Sequence, residues 1–283
     1  MTVDEFDVSG NGCRLRALGW GSRSARLVIG FPGLSGTAER FRFFGERIGG
    51  DAFRLVALDP RGRGRSDTTP AGSYGWENHA KDVLAVADAL GFDRFTMIGQ
   101  SMGGSVAMKT AELQGARLDA VVLVDVAGRV DPGVGAVIAA EISRLDRVYE
   151  SVEEYLREVR TDDLIEPWNE YWDQAYRAGV CEVDGQVVHR CNAAAVAEDR
   201  AYTSTQDPYD RWKHLTMPTL LLRATRELKR GCGFVVPADD GERFPRRVAD
   251  ATVVEIEANH LMISTSEAAA VAIEHFLSRN VAN

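Results

Sequence analysis

A serine lies between two glycines in the stretch Gly99-Gln100-Ser101-Met102-Gly103, which follows a short apolar run and precedes a helical pattern. A serine on a sharp strand-to-helix turn exposes its hydroxyl, and glycines two residues before and after it avoid collisions with neighbouring backbone. The amino end of the following helix supplies N–H groups and a positive dipole end, which suit a developing oxyanion. The spacing therefore predicts a nucleophile. The alternative is a glycine-rich turn with an incidental serine.

A serine hydroxyl needs a base to take its proton, and the base needs an acid to fix its tautomer. His260 suits the base, because it stands in the loop after the last apolar strand. Two acids, Asp125 and Glu227, follow earlier strands. In open parallel sheets ligands bind beyond the carboxyl ends of the strands, where all these residues would meet. The residues alone leave the choice of acid open.

The elements that would position these groups alternate between strand and helix. The strands are apolar throughout, which indicates a mostly parallel sheet covered by helices on both faces, an α/β fold. Residues 6–20 add two short edge strands around a turn. Strands are predicted at 26–31, 53–59, 95–98, 120–125, 219–223 and 252–256, and helices at 38–48, 75–90, 102–113, 237–248 and 266–277.

The alternation breaks between residues 129 and 212, a stretch called here the insertion. It predicts helices over 134–160, in one or two pieces, and over 168–178. A hairpin over 180–188 would turn at Asp184-Gly185. We therefore expect a core domain of residues 1–128 and 213–283 with a mainly helical cap, or lid, at 129–212. The aromatic residues of the insertion could form ordinary core or line a pocket shared with the sheet.

Composition narrows the class of protein. The formal net charge of −9 argues against a nucleic-acid partner, since phosphate binding needs clustered Lys and Arg. No apolar run is long enough to span a membrane, and the first residues carry no basic leader, so we expect a cytoplasmic protein. Its four cysteines form no C-x-x-C pair and fit no standard zinc spacing, even with His189 between Cys181 and Cys191.

Two other features have structural interpretations. Arg61, Arg63 and Arg65 lie in a glycine-rich turn without a Walker-type Gly-Lys-Ser/Thr. We expect these arginines to bind neighbouring carboxylates and carbonyls rather than a phosphate. His79, near the start of a helix, is expected to be a surface or packing histidine.

Several segments together resemble the alpha/beta-hydrolase fold family over almost the full length of the chain. They are the Phe31-Pro32-Gly33-Leu34 loop, Asp59-x-Arg61-Gly62-x-Gly64-x-Ser66, the serine turn, Pro218-Thr219-Leu220-Leu221-Leu222-Arg223 and Asn259-His260. The resemblance implies an oxyanion hole made by the backbone N–H groups of Leu34 and Met102. It implies no metal and no organic cofactor.

Two positions depart from the family pattern. Pro32 stands where the family usually has the histidine of a His-Gly pair, and Glu227 stands where it usually has the aspartate of the triad. Asp125 occupies the fold's alternative acid position. The layout of insertion and acids is similar to that of (E)-2-(acetamidomethylene)succinate hydrolase-like members, whose acid follows the earlier strand. This similarity slightly favours Asp125 over Glu227.

The prediction is a serine hydrolase that cleaves a small-molecule ester, lactone or amide through an acyl-enzyme. Alternatives are a carbon–carbon bond hydrolase of the aromatic-degradation type, a cofactor-free peroxidase and a non-catalytic ligand receptor. The oligomeric state stays open, and a homo-oligomer is allowed. Candidates to receive a substrate carboxylate are Arg129, Arg144, Arg147, Arg190 and Arg223.

Overall fold

The first part of the chain builds most of the sheet. The structure, a computed structural model, describes residues 3–281. In chain order this part contains β1 (Asp4–Ser9), β2 (Arg14–Trp20), β3 (Arg26–Phe31), a 3-10 turn (Ala38–Phe41), α1 (Arg42–Ile48), β4 (Phe53–Leu58), α2 (Trp76–Ala89), β5 (Phe95–Gln100), α3 (Met102–Gln114) and β6 (Leu118–Val124). The two edge strands predicted within residues 6–20 are β1 and β2, and they pair antiparallel.

The insertion and the last part of the chain follow. The insertion contains α4 (Val134–Ser143), β7 (Val148–Tyr149), α5 (Val152–Arg160), α6 (Glu170–Ala178), β8 (Val180–Val183), β9 (Gln186–His189), α7 (Ala193–Ser204) and a 3-10 helix (Pro208–His214). The chain then returns to the sheet with β10 (Thr219–Ala224), α8 (Ala238–Arg247), β11 (Ala251–Ile256), a 3-10 turn (Met262–Thr265) and α9 (Glu267–Asn280).

The main sheet has eight strands in the order β1-β2-β4-β3-β5-β6-β10-β11. All neighbours from β4 to β11 pair parallel, and only the pairs that involve β2 are antiparallel. Side chains along the central strands alternate between two separate hydrophobic cores, as Met97 and Ile98 of β5 do. A core on each face explains why these strands are apolar throughout. The prediction of an α/β fold with a mostly parallel sheet is confirmed.

The insertion contains two elements that were not predicted, β7 and α7. The helical stretch expected over 134–160 in one or two pieces is two helices, because β7 pairs with β9 in a second, three-stranded sheet and Ser151 starts α5 anew by accepting a hydrogen bond from the Glu154 N–H. Helix α7 was not predicted, although Asn192 caps its first turn through the Ala195 N–H at 3.0 Å. Among the described residues, none of the helices has the length and apolarity required to cross a bilayer.

Candidate active site

Ser101 sits in the turn between β5 and α3 with φ of +52° and ψ of −121°. This left-handed backbone is strained for a residue with a side chain. The turn is possible only because its flanking residues lack side chains. A Cβ on Gly99 would lie 2.2 Å from the Gly103 oxygen, and a Cβ on Gly103 would lie 1.9 Å from the Phe31 oxygen. The spacing read from the sequence thus has its expected steric cause.

Asp125 follows β6 at the same edge of the sheet. Gln100 of β5 pairs with Val124 of β6, so Ser101 and Asp125 each come directly after paired residues. The Asp125 side chain is buried, and its Oδ1 accepts a hydrogen bond from the Ala224 N–H at 2.9 Å. This contact with the end of β10 fixes the orientation of the carboxylate, whose second oxygen is free for another partner.

That partner is His260. Its Nδ1 lies 2.8 Å from Asp125 Oδ2. The backbone oxygen of His260 also accepts a hydrogen bond from the side-chain amide of Gln100 at 3.5 Å. The histidine is therefore held next to the residue that precedes Ser101. When Nδ1 donates its hydrogen to the carboxylate, Nε2 is the nitrogen that can accept a proton.

Glu227, the other candidate acid, makes different contacts. Its two carboxylate oxygens accept hydrogen bonds from the N–H groups of Gly231 at 2.8 Å and Gly233 at 3.1 Å. These bonds close the loop after β10. Of the two acids considered from the sequence, only Asp125 contacts His260 in the described part of the chain.

Sequence reasoning gave Asn259 no role beyond its place in a motif. Its Oδ1 accepts from the N–H groups of Leu261 and Met262, and its amide donates to the Leu164 oxygen of the insertion at 2.8 Å and to the Leu228 oxygen at 3.3 Å. All donors and acceptors of this buried side chain are used. Asn259 therefore anchors the His260 loop to both the insertion and the loop after β10.

Comparison with known proteins identifies the family. The sequence model of the alpha/beta hydrolase fold family matches residues 26–265. The chain belongs to this family. The prediction of an alpha/beta hydrolase enzyme is therefore confirmed.

Individual members of the family show how far the similarity extends. An N-formylmaleamate deformylase of Pseudomonas putida is 38% identical over 119 residues, which are 42% of this chain and 44% of the deformylase. A serine hydrolase-like protein of Danio rerio is 27% identical over 93% of this chain and 85% of its own length. The crystal structure of E-2-(acetamidomethylene)succinate hydrolase superposes with a TM-score of 0.85 at 21% identity, covering 98% of this chain and 99% of that one.

The loop after β3 is held by a side chain of the glycine-rich turn. Pro32, which departs from the expected His-Gly pair, lies in this loop, and Arg63 donates from Nε and Nη2 to the Leu34 oxygen, at 3.1 and 3.0 Å. The loop lies against the serine, since a Cβ on Gly33 would be 3.3 Å from the Cβ of Ser101. The two predicted oxyanion donors, Leu34 and Met102, thus flank Ser101 from the loop and from the first turn of α3.

Arg63 belongs to a fully buried ionic cluster. It pairs with Asp199 of α7 at 2.5 Å, and His79 Nε2 lies 3.0 Å from both oxygens of the same carboxylate. Burial opposes ionisation of Asp199, but the hydrogen bond and charge of His79 and the charge of Arg63 outweigh it, and the pKa of Asp199 is lowered. His79 is therefore a packing histidine, and it is bound to an acid of the insertion.

The arginines of the glycine-rich turn bind protein groups, as expected. Arg61 pairs with Asp82 at 2.7 Å, and Arg65 pairs with Glu5 at 2.5 Å. Arg63 pairs with Asp199. Within residues 3–281, no group of three or more His, Cys, Asp or Glu side chains could hold a metal ion.

The candidate carboxylate receivers differ in position. Arg144 lines a cavity between the insertion and the loop after Leu34. The other four contact protein groups outside that cavity: Arg129 pairs with Asp207, Arg147 with Glu158, Arg190 with the Val180 oxygen and Arg223 with Glu255. One arginine of the same cavity, Arg40, was not among the sequence candidates.

Proposed function

We propose that this protein is a serine hydrolase acting on a small carboxylic ester, lactone or amide, with Ser101 as nucleophile, His260 as base and Asp125 as the acid. The observation that carries the proposal is the 2.8 Å contact between His260 Nδ1 and the buried Asp125 carboxylate, beside a strained serine turn. A buried acid on Nδ1 leaves Nε2 unprotonated, which is the form that accepts a serine proton.

The reaction would proceed in two halves. His260 Nε2 takes the Ser101 proton while Oγ attacks the carbonyl carbon, and the tetrahedral oxyanion is bound by the N–H groups of Leu34 and Met102. Met102 is the first residue of α3, so its N–H has no acceptor within the helix. The protonated His260 then gives its proton to the leaving group. In the second half His260 activates water, which releases the acyl group from Ser101.

Two further observations support the proposal. The insertion contacts the His260 loop through Asn259 and the oxyanion loop through Asp199 and Arg63, as a cap over the site would. Proteins similar to this chain are named a deformylase, a carbamate hydrolase and a hydrolase of a succinate derivative. These names favour acyl or amide bonds in small molecules.

The first experiment is covalent labelling with a fluorophosphonate, a reagent that modifies activated serines. We expect the wild-type protein to be labelled at Ser101 and the Ser101→Ala variant to remain unlabelled. A screen of short esters, lactones and amides, with Ser101→Ala as background, then identifies the bond cleaved. A folded wild-type protein that is not labelled would refute the proposal, and turnover of diketones in place of esters would favour carbon–carbon bond hydrolysis.

A further inference from the structure

A cavity lies between the core and the insertion, next to the proposed oxyanion hole. Its core side is formed by residues 35–37, directly after Leu34, and by Arg40 of the following 3-10 turn. Its other side is formed by the insertion, including Glu141, Tyr176 and His189. Its volume is about 50 Å³, and it is partly open to solvent. A ligand in this cavity would be next to the loop that touches Ser101.

Arg40 presents an unsatisfied guanidinium to this cavity. Its guanidinium carbon lies 4.5 Å from the ring centre of Trp172 and 4.4 Å from that of Tyr176, so the two aromatic rings hold the group in place. Its Nη1 is buried without a hydrogen-bond acceptor. Within residues 3–281 no carboxylate pairs with Arg40. A buried donor without an acceptor is rare and costly, which points to an acceptor supplied from outside the chain.

A second unsatisfied group lies on the insertion side of the cavity. His189 Nε2 is buried and has no partner. Burial, assisted by the charge of Arg144, lowers the pKa of His189 to about 4, so the ring is neutral near pH 7. A neutral imidazole can carry its hydrogen on Nε2 and donate it. The cavity therefore contains two buried polar atoms without partners among the described residues, Arg40 Nη1, which donates, and His189 Nε2, which donates in one neutral tautomer.

The remaining charges of the cavity are accounted for. Arg144 pairs with Glu141, which also lines the cavity, and with Asp162. Burial raises the pKa of Glu141 despite the nearby Arg144 and Arg40. Burial also raises the pKa of Cys191, another lining residue, to about 11, so its thiol stays neutral and is not a second nucleophile. Among the described residues that line the cavity, Arg40 is the charged side chain without an ion pair.

We propose that this cavity is a subsite for a carboxylate of the substrate, bound by Arg40 and His189. The inference rests on the proposed function, because it assigns the substrate class of that site: small esters, lactones or amides that carry a free carboxylate. A planar guanidinium that packs on two aromatic rings of one helix matches a carboxylate, which accepts two parallel hydrogen bonds. One unpaired positive charge facing Glu141 suits a single negative charge better than a phosphate dianion.

The test measures binding rather than turnover. Succinate, glutarate and adipate are titrated into the wild-type protein by calorimetry. The corresponding diamides serve as neutral controls, and inorganic phosphate serves as an alternative anion. We expect at least one dicarboxylate to bind more tightly than its diamide and than phosphate. We expect Arg40→Gln to lower the affinity for that dicarboxylate about 10- to 100-fold, because the variant loses a charged hydrogen-bond donor. Arg47→Gln is the matched control, since Arg47 also stacks on aromatic rings but pairs with Glu267 outside the cavity.

Three outcomes would overturn the proposal: dicarboxylates and diamides binding equally, phosphate binding more tightly, or Arg40→Gln binding as the wild type does. Arg40 would then be only a contact between core and insertion. If thermal melting shows that Arg40→Gln does not fold, Arg40→Lys and His189→Phe decide, since normal dicarboxylate binding by both refutes the subsite. Protection of Ser101 from fluorophosphonate by the bound dicarboxylate links the subsite to the nucleophile. If Ser101 is never labelled, the proposed hydrolysis fails while the binding result is still interpretable.

Discussion

Asp125→Asn separates the proposed acid from its alternative by changing one atom. In the wild type, Asp125 Oδ1 accepts the Ala224 N–H and Oδ2 faces His260 Nδ1 at 2.8 Å. An asparagine keeps an oxygen for Ala224, which places its NH₂ group against His260. Two donors cannot share that contact, so the imidazole must move its hydrogen to Nε2. In this tautomer the nitrogen facing the substrate cannot accept the Ser101 proton.

The expected loss follows from this change of tautomer. In serine proteases the equivalent substitution leaves the geometry intact and lowers kcat by about 10⁴-fold, which corresponds to about 5.4 kcal/mol in the barrier. We expect a similar loss here with KM nearly unchanged, because Asp125 is buried behind His260 and does not face the substrate. Folding should be nearly preserved, since the Ala224 hydrogen bond is retained.

Glu227→Gln is the matched substitution at the other acid. A glutamine retains one acceptor for the N–H groups of Gly231 and Gly233, so the loop after β10 loses about 1 kcal/mol of stability and the chemistry is left intact. The assay is kcat and KM on the best ester of the screen, with thermal melting to confirm folding. An active Asp125→Asn variant beside an inactive but folded Glu227→Gln variant would refute the assignment and move the acid to Glu227.

Two further changes test the support of the site. Gly103→Ala would place a Cβ 1.9 Å from the Phe31 oxygen, so we expect it to lower the free energy of unfolding by about 1–3 kcal/mol or more and to abolish fluorophosphonate labelling. Gly135→Ala is the control, because its Cβ would have no atom within 4 Å, and it should leave labelling unchanged. Equal melting temperatures for the two variants would contradict this reasoning. Asp199→Asn should slow labelling of Ser101 with KM little changed, because the oxyanion loop loses its anchor. The lowered pKa of Asp199 also means that its stabilisation is complete above the ordinary value of 3.8 and is lost as the pH falls through the folded-state value. Acid unfolding of Asp199→Asn should accordingly be less steep than that of the wild type, and unchanged acid unfolding and labelling would contradict its role.

Local patterns were sufficient to predict the sheet, the serine turn and the histidine loop. Apolar runs of four to seven residues bounded by glycine and proline indicate buried strands, and the steric reason for Gly99 and Gly103 depends only on residues close in sequence. Position at a strand end was also sufficient to select Asp125 and Glu227 as the candidate acids. It was not sufficient to choose between them, because that choice depends on where the carboxylates point. Glu227 turns to two N–H groups of its own loop, a contact that no periodicity reveals.

The features that could not be predicted all depend on long-range contacts. Strand β7 has only two residues, and it exists because it pairs with β9, almost forty residues later. Arg40 is held by Trp172 and Tyr176, more than 130 positions away in the sequence. Asp199 lies in a helix whose weak amphipathic pattern gives no sign that it is buried. These residues acquire their roles only when the insertion packs on the core.

The same long-range contacts link the insertion to the loop that carries the proposed oxyanion donor Leu34. The Leu34 oxygen is held by Arg63, and Arg63 is held by Asp199 of α7, so we expect the position of the Leu34 N–H to depend on a helix of the insertion. Arg63 and Asp199 are both completely buried, and displacement of α7 would leave a guanidinium without its counter-ion, a costly state. Pro32 brings no side-chain hydrogen-bond donor or acceptor to the loop after β3. The Arg63–Asp199 pair connects the loop after β3 to α7, and we therefore expect the proposed oxyanion hole to depend on the packing of the insertion.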